Sequence, residues 1–307
     1  MIDDATVSAR SRALAAAIEP FSAQVYFAPE CHAGYEALGF GPSPRTNREG
    51  VAQPDGQAYF CSRGSVLGQP SGQLVAAAFG VFNPAVVIPL VDAGWDRCDA
   101  PTIGAARTRG AVAQLTRVLG PEPDGIDRAV DLMRRALSDL RPEGRPLYAG
   151  LCAQPVPDSA LGEAWRLADR LREFRGDAHT AAWTSAGYDA AEIGLLTELY
   201  WNLPMRTYVR SRAWAPEDLD AAEDRLRSRG QLEGDGMSAA GRAGREAVEQ
   251  ATDRQCRPID EALGDDLDEL AALVGGWSEQ VRNAGGYQQR GPHDLAREAT
   301  GTITQTS

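Results

Sequence analysis

The segment from residue 190 to residue 255 has the most specific order of elements in the chain. "AAEIGLLTELYW" predicts one helix, and "PMRTYVRSR" predicts a short second helix that starts at its proline. "PEDLDAAEDRLRSRG" predicts a third helix, because Pro216 suits a first turn and Gly230 suits a helix end. "QLEGDGMS" predicts two short strands around a turn at 234–236, and Ser238 can cap the long helix that follows. This segment therefore folds as three helices, a small hairpin and a fourth helix.

The order resembles the winged helix-turn-helix of multiple-antibiotic-resistance regulators, above all in "DRLRSRGQLEGDGMSAAGRAGREAVEQ". The chain as a whole, from about residue 9 to 275, resembles an actinobacterial family of helix-turn-helix proteins of largely unknown function. That resemblance is carried by "EPFSAQVYFAPE", "YFCSRGSVLG", "FGVFNPAVV" and "LREFRGDAHTAAW". It departs at Met237-Ser238, and the loop at 41–57 and the tail after Trp277 look like additions. The resemblance implies a mostly α fold with a winged-helix portion, and it implies no reaction.

Helical patterns also dominate the N-terminal half, where strand signals are scarce. Helices are predicted at about 6–20, 29–39, 100–119, 124–140 and 158–186, with an apolar helix interrupted at Asn83-Pro84. We therefore predict a mostly α fold: a helical N-terminal domain at 1–150 and a helical and winged-helix domain at 151–277, with a small two-stranded β-wing. Residues 278–307 are predicted to be a disordered tail.

The charge composition limits the partners that the chain can have. All 31 basic residues are arginines, since the chain has no lysine, and the formal net charge is −12. An acidic chain lacks the broad basic face that neutralises phosphates, so the composition counts against extensive nucleic-acid binding. No run of eighteen apolar residues predicts a membrane span, and the acidic N-terminus does not have the order of a secretory signal. We therefore predict an acidic, cytoplasmic protein without a membrane partner.

Motifs that hold metals or cofactors are missing from the sequence. The five cysteines are widely spaced and include no C-x-x-C pair, and the three histidines do not form an H-E-x-x-H motif. G-x-G-x-x-G, Walker and G-x-S-x-G motifs are also missing. We therefore predict no metal and no cofactor.

The helix that would enter a DNA major groove, at 217–229, carries five acidic residues and three arginines. Its N-terminal turn, which normally meets base edges, is the acidic part, and the wing tip "EGDG" is acidic as well. These charges disfavour DNA as a partner and favour a scaffold or a homodimer element. A dimer could still present the arginines of the short second helix (Arg206, Arg210, Arg212), so a regulator stays open as an alternative.

The stretch "REFRGDAHTAAW" places Arg175 on the apolar face of the helix predicted at 158–186. At 100° per residue, His179 lies at the edge of that face, whereas Asp177 points to the opposite, solvated side. The neighbours of His179 on the helix wheel are Arg172, Trp165 and Trp183. A buried arginine needs a carboxylate or a cavity, because an unpaired buried charge costs several kcal/mol. The candidate partner is Glu30, and the adjoining Tyr26 and Phe27 would supply aromatic walls.

Two interpretations of Arg175 follow. In the first, Arg175 and a buried carboxylate only lock two helices together. In the second, a pocket lies between the first helices and the 158–186 helix, Arg175 holds an anionic or carbonyl group, and His179 titrates or donates a hydrogen bond as the candidate catalytic residue. We favour a protein that binds a small organic molecule, with an enzymatic step left open. A ligand-responsive transcription regulator is the alternative, and an interaction protein without a pocket is the third.

Overall fold

The computed structural model describes residues 3–47 and 49–289. The helices in this part are α1 (Asp4–Ala23), α2 (Pro29–Glu36), α3 (Gly56–Gly64), α4 (Gly72–Phe79), α5 (Pro84–Gly94), α6 (Ala100–Leu119), α7 (Ile126–Leu137), α8 (Pro146–Cys152), α9 (Ala160–Ser185), α10 (Ala190–Tyr200), α11 (Pro216–Ser228), α12 (Ala239–Gln255), α13 (Arg257–Leu263) and α14 (Asp266–Asn283). The strands are β1 (Leu232–Glu233) and β2 (Gly236–Met237). The predicted mostly α fold class with one small two-stranded sheet is confirmed.

Local sequence sets most of these helix starts. Side chains at the N-cap accept a backbone N–H at Asp3, Asp55, Asp99, Ser159, Asp189 and Ser238, which begin α1, α3, α6, α9, α10 and α12. Proline occupies the first turn of α2, α5, α8 and α11, where its missing N–H leaves no hydrogen bond unmade. Caps and prolines together explain why the predicted bounds of α6 and α9 agree closely with the observed ones.

Helix α9 is the centre of the main hydrophobic core. Its Trp165 and Phe174 are buried in a cluster that also takes side chains from α1, α6, α7 and α14. A second cluster joins the end of α9 to α10, α11, α12 and the hairpin, and a third lies under α3, α4, α5 and α8. The main core thus draws on residues from both sides of position 150, and the division into domains at that position stays a prediction.

The hairpin and its flanking cap form as predicted. Strands β1 and β2 pair antiparallel, with Leu232 opposite Met237. Ser238 then caps α12, because its Oγ accepts the Gly241 N–H at 3.0 Å. The hairpin therefore separates α11 from α12 in the order that the sequence indicated.

The predicted short helix in "PMRTYVRSR" is wrong, because only a single 3₁₀ turn forms there, at Val209–Arg212. Buried Glu198 accepts the backbone N–H groups of Arg206 and Val209, both at 2.7 Å, in place of helical carbonyls. Arg206 within this segment has a positive φ, as do Asn202 and Ala213 on either side of it, and a regular α-helix does not contain this conformation.

The C-terminal tail predicted from residue 278 begins inside α14, which continues to Asn283. Its residues 290–307 lie outside the described part of the chain. Within residues 3–47 and 49–289, no helix combines the length and the apolar character that a membrane span requires.

Candidate functional site

A cavity of about 240 Å³ opens over the middle of α9. Seven residues of the stretch singled out above line it: Arg172, Glu173, Arg175, Gly176, Asp177, His179 and Thr180. Its walls come from α1, α10 and α12, from the segment between α3 and α5, and from the 3₁₀ turn before α11. The cavity, called the α9 cleft below, therefore lies where the sequence indicated that a polar site interrupts an apolar helix.

Gly176 leaves the floor of the α9 cleft open. The residue is exposed, and a Cβ there would meet only the Glu173 Oε2 atom, at 3.3 Å. Glycine in a helix interior costs about 1 kcal/mol relative to alanine, so propensity does not favour it here. Its contribution is empty space above the backbone of α9.

The walls combine aromatic and aliphatic side chains. Tyr59, Phe79 and Phe82 come from α3, α4 and the turn that follows, and Leu14 and Ile18 come from α1. The rings of Tyr59 and Phe82 are 5.6 Å apart between centroids. Apolar walls with a few polar groups are typical of sites for small organic molecules.

Arg175 is held by two buried carboxylates of α12. Its Nη2 atom is 3.1 Å from Glu249 Oε2 and 2.8 Å from Asp253 Oδ1. Each carboxylate also binds a second arginine, since Arg245 Nη2 is 2.6 Å from Glu249 and Arg12 Nε is 2.8 Å from Asp253. The prediction that Arg175 pairs with a buried carboxylate is right in kind, but the partners come from α12.

The prediction that Glu30 is the partner of Arg175 is wrong. Its Oε1 atom lies 2.6 Å from the Nε atom of Arg117 on α6, and it does not line the α9 cleft. The reason is that α2 packs against α6, whereas α12 packs directly along α9. A signal for the true partners was present, because Glu249 and Asp253 lie one helical turn apart and so share a face of α12.

The charge of Glu249 depends on this network. Burial acts to raise the pKa of Glu249, but the nearby Arg245 and Arg175 outweigh burial and hold the pKa well below its usual range. Glu249 is therefore a carboxylate at neutral pH.

His179 lies beside the same network and lines the cleft. Its Nδ1 atom is 3.1 Å from Thr252 Oγ1, and the Thr252 hydroxyl donates to the Val248 carbonyl at 2.8 Å. Since that hydroxyl has spent its only proton, it accepts from His179, and the neutral ring carries its proton on Nδ1. The Nε2 atom is then a hydrogen-bond acceptor.

A second ionic cluster lies further along α9. Arg172 Nε is 2.8 Å from Glu19 of α1, and Arg63 Nη2 is 2.9 Å from Glu173. The Arg172 guanidinium also lies over the ring of Tyr26, with Cζ 5.5 Å from the centroid. Tyr26 therefore contacts a residue that lines the cleft without lining the cleft itself. Burial raises the pKa of the Tyr26 hydroxyl to about 12.

The prediction that Asp177 lies on the solvated side of the helix is wrong, because Asp177 is only 3% exposed. The segment at 141–159, called the Pro-rich connector because it contains four prolines, forms α8. Helix α8 packs against this side of α9, and the Tyr148 N–H donates to Asp177 Oδ2 at 2.9 Å. Burial raises the pKa of Asp177 to about 7. The cleft therefore contains a carboxyl group that titrates near neutral pH.

The remaining predicted site residues do not line the α9 cleft. Trp165 is fully buried, and its Nε1 donates to the Ser22 carbonyl at 3.0 Å. Phe27 packs edge-on against Tyr287 at 5.4 Å, and Trp183 belongs to the second core cluster. A helix wheel cannot separate such core positions from cleft positions, because both lie on inward-facing sides.

Sequence reasoning missed the cleft residues that come from other parts of the chain, which include Tyr59, Arg63, Phe79, Phe82, Arg212 and Arg245. The first four lie in "YFCSRGSVLG" and "FGVFNPAVV", two of the stretches that carried the family resemblance. A family model described as "Helix-turn-helix family" matches residues 11–288. The chain belongs to this helix-turn-helix family. No curated protein and no solved structure matches it.

In this helix-turn-helix protein several arginines on or near α11, among them Arg206, Arg225 and Arg227, pair with neighbouring acids. Arg206 is 2.6 Å from both Asp220 and Glu223, and Arg225 Nε is 2.8 Å from Glu192. Arg227 also pairs with Glu223, at 3.2 Å. These positive charges are therefore largely neutralised within the protein.

Proposed function

We propose that this helix-turn-helix protein binds a small organic molecule in the α9 cleft. The observation that carries the proposal is a pair of buried donors, Arg175 Nε and Arg245 Nη1, on two residues that line the cleft; neither donor has a hydrogen-bond acceptor among the described residues. Buried polar groups are nearly always hydrogen-bonded, so unmet donors on residues that line a cavity favour a ligand acceptor.

The charge balance at this end of the cleft indicates which acceptor fits. The arginines Arg12, Arg175 and Arg245 are matched by the carboxylates Glu246, Glu249 and Asp253, with all pairs within 3.1 Å. A full negative charge would add to a network that is already neutral. A carbonyl oxygen accepts the two N–H groups without disturbing that balance.

The test uses 8-anilinonaphthalene-1-sulfonate, a fluorescent aromatic anion, as the probe. Gly176→Leu places a side chain in the cleft, and we expect it to weaken probe binding by about tenfold or more, which corresponds to about 1.4 kcal/mol. Leucine has a higher helix propensity than glycine, so we expect the variant to fold. Fluorescence titration measures the affinity.

Gly276→Leu is the matched control, because Gly276 is an exposed glycine within α14 and nothing lies within 4 Å of its position for a Cβ. We expect it to leave the affinity unchanged. Equal affinities for all three proteins would refute binding in the α9 cleft. Native mass spectrometry of the freshly purified protein would then identify any small molecule that co-purifies with the wild type and is lost in Gly176→Leu.

The second candidate function is a ligand-responsive, DNA-binding regulator. Family membership favours it, as does the position of the cleft wall, since Arg212 and Tyr208 belong to the segment that leads directly into α11. A ligand that contacts this segment would act on the orientation of α11. A homodimer that combines two such surfaces stays a prediction.

For DNA, we expect no sequence-selective binding tighter than the micromolar range of non-specific contacts at physiological salt. The exposed N-terminal turn of α11 carries Glu217, Asp218 and Asp220, which repel phosphates where a regulator must attract them. Footprinting and a salt titration on DNA upstream of the protein's own gene measure this. A nanomolar, salt-dependent footprint would establish the regulator instead.

A further inference from the structure

Four of the five arginines that line the α9 cleft have a carboxylate partner. Arg63 pairs with Glu173, Arg172 with Glu19, Arg175 with Asp253 and Arg245 with Glu249, all at distances of 2.9 Å or less. Their positive charges are therefore compensated within the protein. The fifth, Arg212, differs from them.

Arg212 has no carboxylate within 4.0 Å among the described residues. Its guanidinium lies over the rings of Phe82 and Tyr208, with Cζ at 4.7 and 4.4 Å from the two centroids, and its Nη2 donates to the Tyr208 hydroxyl. Its Nε is buried and has no acceptor in the described part of the chain. The arginine is thus stacked in place with its charge uncompensated and with a donor unused.

The backbone around Arg212 is also fixed. The Asn83 N–H donates to the Arg212 carbonyl at 3.0 Å, and the Asn83 side chain donates to the Ala213 carbonyl at 3.1 Å. Trp214 Nε1 donates to the Val81 carbonyl at 3.0 Å. A ligand would therefore meet a guanidinium whose position is set before binding, which reduces the entropy lost on association.

We propose that Arg212 binds the carboxylate of an aromatic acid. One uncompensated positive charge matches one negative charge, and the planar guanidinium suits the two oxygens of a carboxylate. The aromatic body follows from the adjoining wall, where Phe82 lies 6.2 Å from Phe79 and 5.6 Å from Tyr59 between ring centroids. This inference rests on the proposed function and adds the class of its ligand.

The test compares 2-naphthoate with its neutral counterpart 2-naphthamide by isothermal titration calorimetry at pH 7.5. We expect the wild type to bind the carboxylate about tenfold more tightly than the amide, as a charge-assisted pair exceeds a neutral hydrogen bond. In Arg212→Met we expect that preference to fall to about twofold or less, with little change in the affinity for the amide. Arg210→Met is the matched control, because it removes the same charge from the same turn at an exposed position that does not line the cleft.

The outcomes separate the two proposals. A preference for the carboxylate that survives in Arg212→Met, or that is lost equally in Arg210→Met, would overturn the role of Arg212. Equal binding of both compounds by the wild type would overturn it as well, while leaving the cleft as a binding site. If neither compound binds and Gly176→Leu does not alter binding of the fluorescent probe, both proposals fall.

Discussion

Replacing Glu249 with glutamine is expected to lower the free energy of unfolding by about 3–5 kcal/mol, the range for breaking a buried ion pair. Glu249 is the carboxylate partner of Arg245, whose side chain is only 2% exposed. Without that carboxylate, Arg245 keeps its contact with Thr197 Oγ1 at 3.2 Å but has no countercharge. An uncompensated buried guanidinium is far more costly than a lost hydrogen bond. Guanidinium chloride unfolding at pH 7 measures the loss.

Glu246→Gln is the matched control on the same helix. Glu246 is 32% exposed, and its partner Arg12 keeps Asp253 at 2.8 Å, so we expect a loss of about 1 kcal/mol or less. Arg175→Met should fall between the two, because each of its carboxylates retains another arginine. Losses of equal size in Glu249→Gln and Glu246→Gln would show that the buried network does not stabilise the fold in this way.

The Arg175 network also shows how far the sequence predicts the site. An arginine on an apolar helix face must have a partner or a cavity, and this physical requirement located both the network and the cleft. Which carboxylate would meet it depends on which helix packs along α9. That contact joins residues 74 and 78 positions apart, and nothing local to Arg175 encodes it.

The predicted exposure of Asp177 was wrong for a related reason. The helix wheel assigns one buried and one solvated side, as holds for a helix at the surface of a domain. Helix α9 is instead covered on more than one side, because the Pro-rich connector forms α8. The prolines of this connector indicate a loop in the sequence, but Pro146 occupies the first turn of α8, where proline is favoured.

The prediction of a helix between α10 and α11 was wrong because of one buried acidic residue. Its sequence permits a short helix, but Glu198 accepts backbone N–H groups from Arg206 and Val209 and so replaces helical hydrogen bonds. The same irregular backbone carries Arg212 into the cleft. The part of the fold that local propensity predicts least well thus supplies the cleft arginine that has no carboxylate partner among the described residues.

Asp177→Asn is expected to stabilise the protein at pH 8 by up to about 4 kcal/mol, since each unit of pKa shift corresponds to about 1.4 kcal/mol. Burial raises the pKa of Asp177 from 3.8 to about 7. Between these values the folded protein holds a proton that the unfolded chain has released, so the contribution of Asp177 to stability falls as the pH rises from about 4 to about 7. Asparagine carries no charge and still offers a carbonyl oxygen to the Tyr148 N–H.

Urea unfolding of the wild type and Asp177→Asn at pH 4, 5, 6, 7 and 8 measures this effect. The two proteins should have similar stability near pH 4 and diverge as the pH rises, with the difference constant above the folded-state pKa. Asp131→Asn on α7 is the control, because the Asp131 side chain is 69% exposed and its carboxylate is hydrated in both the folded and the unfolded state. Parallel stability curves for the wild type and Asp177→Asn would mean that Asp177 is already ionised in the folded protein at pH 5. The neighbouring Arg63 would then outweigh burial, and the α9 cleft would carry one more negative charge at neutral pH.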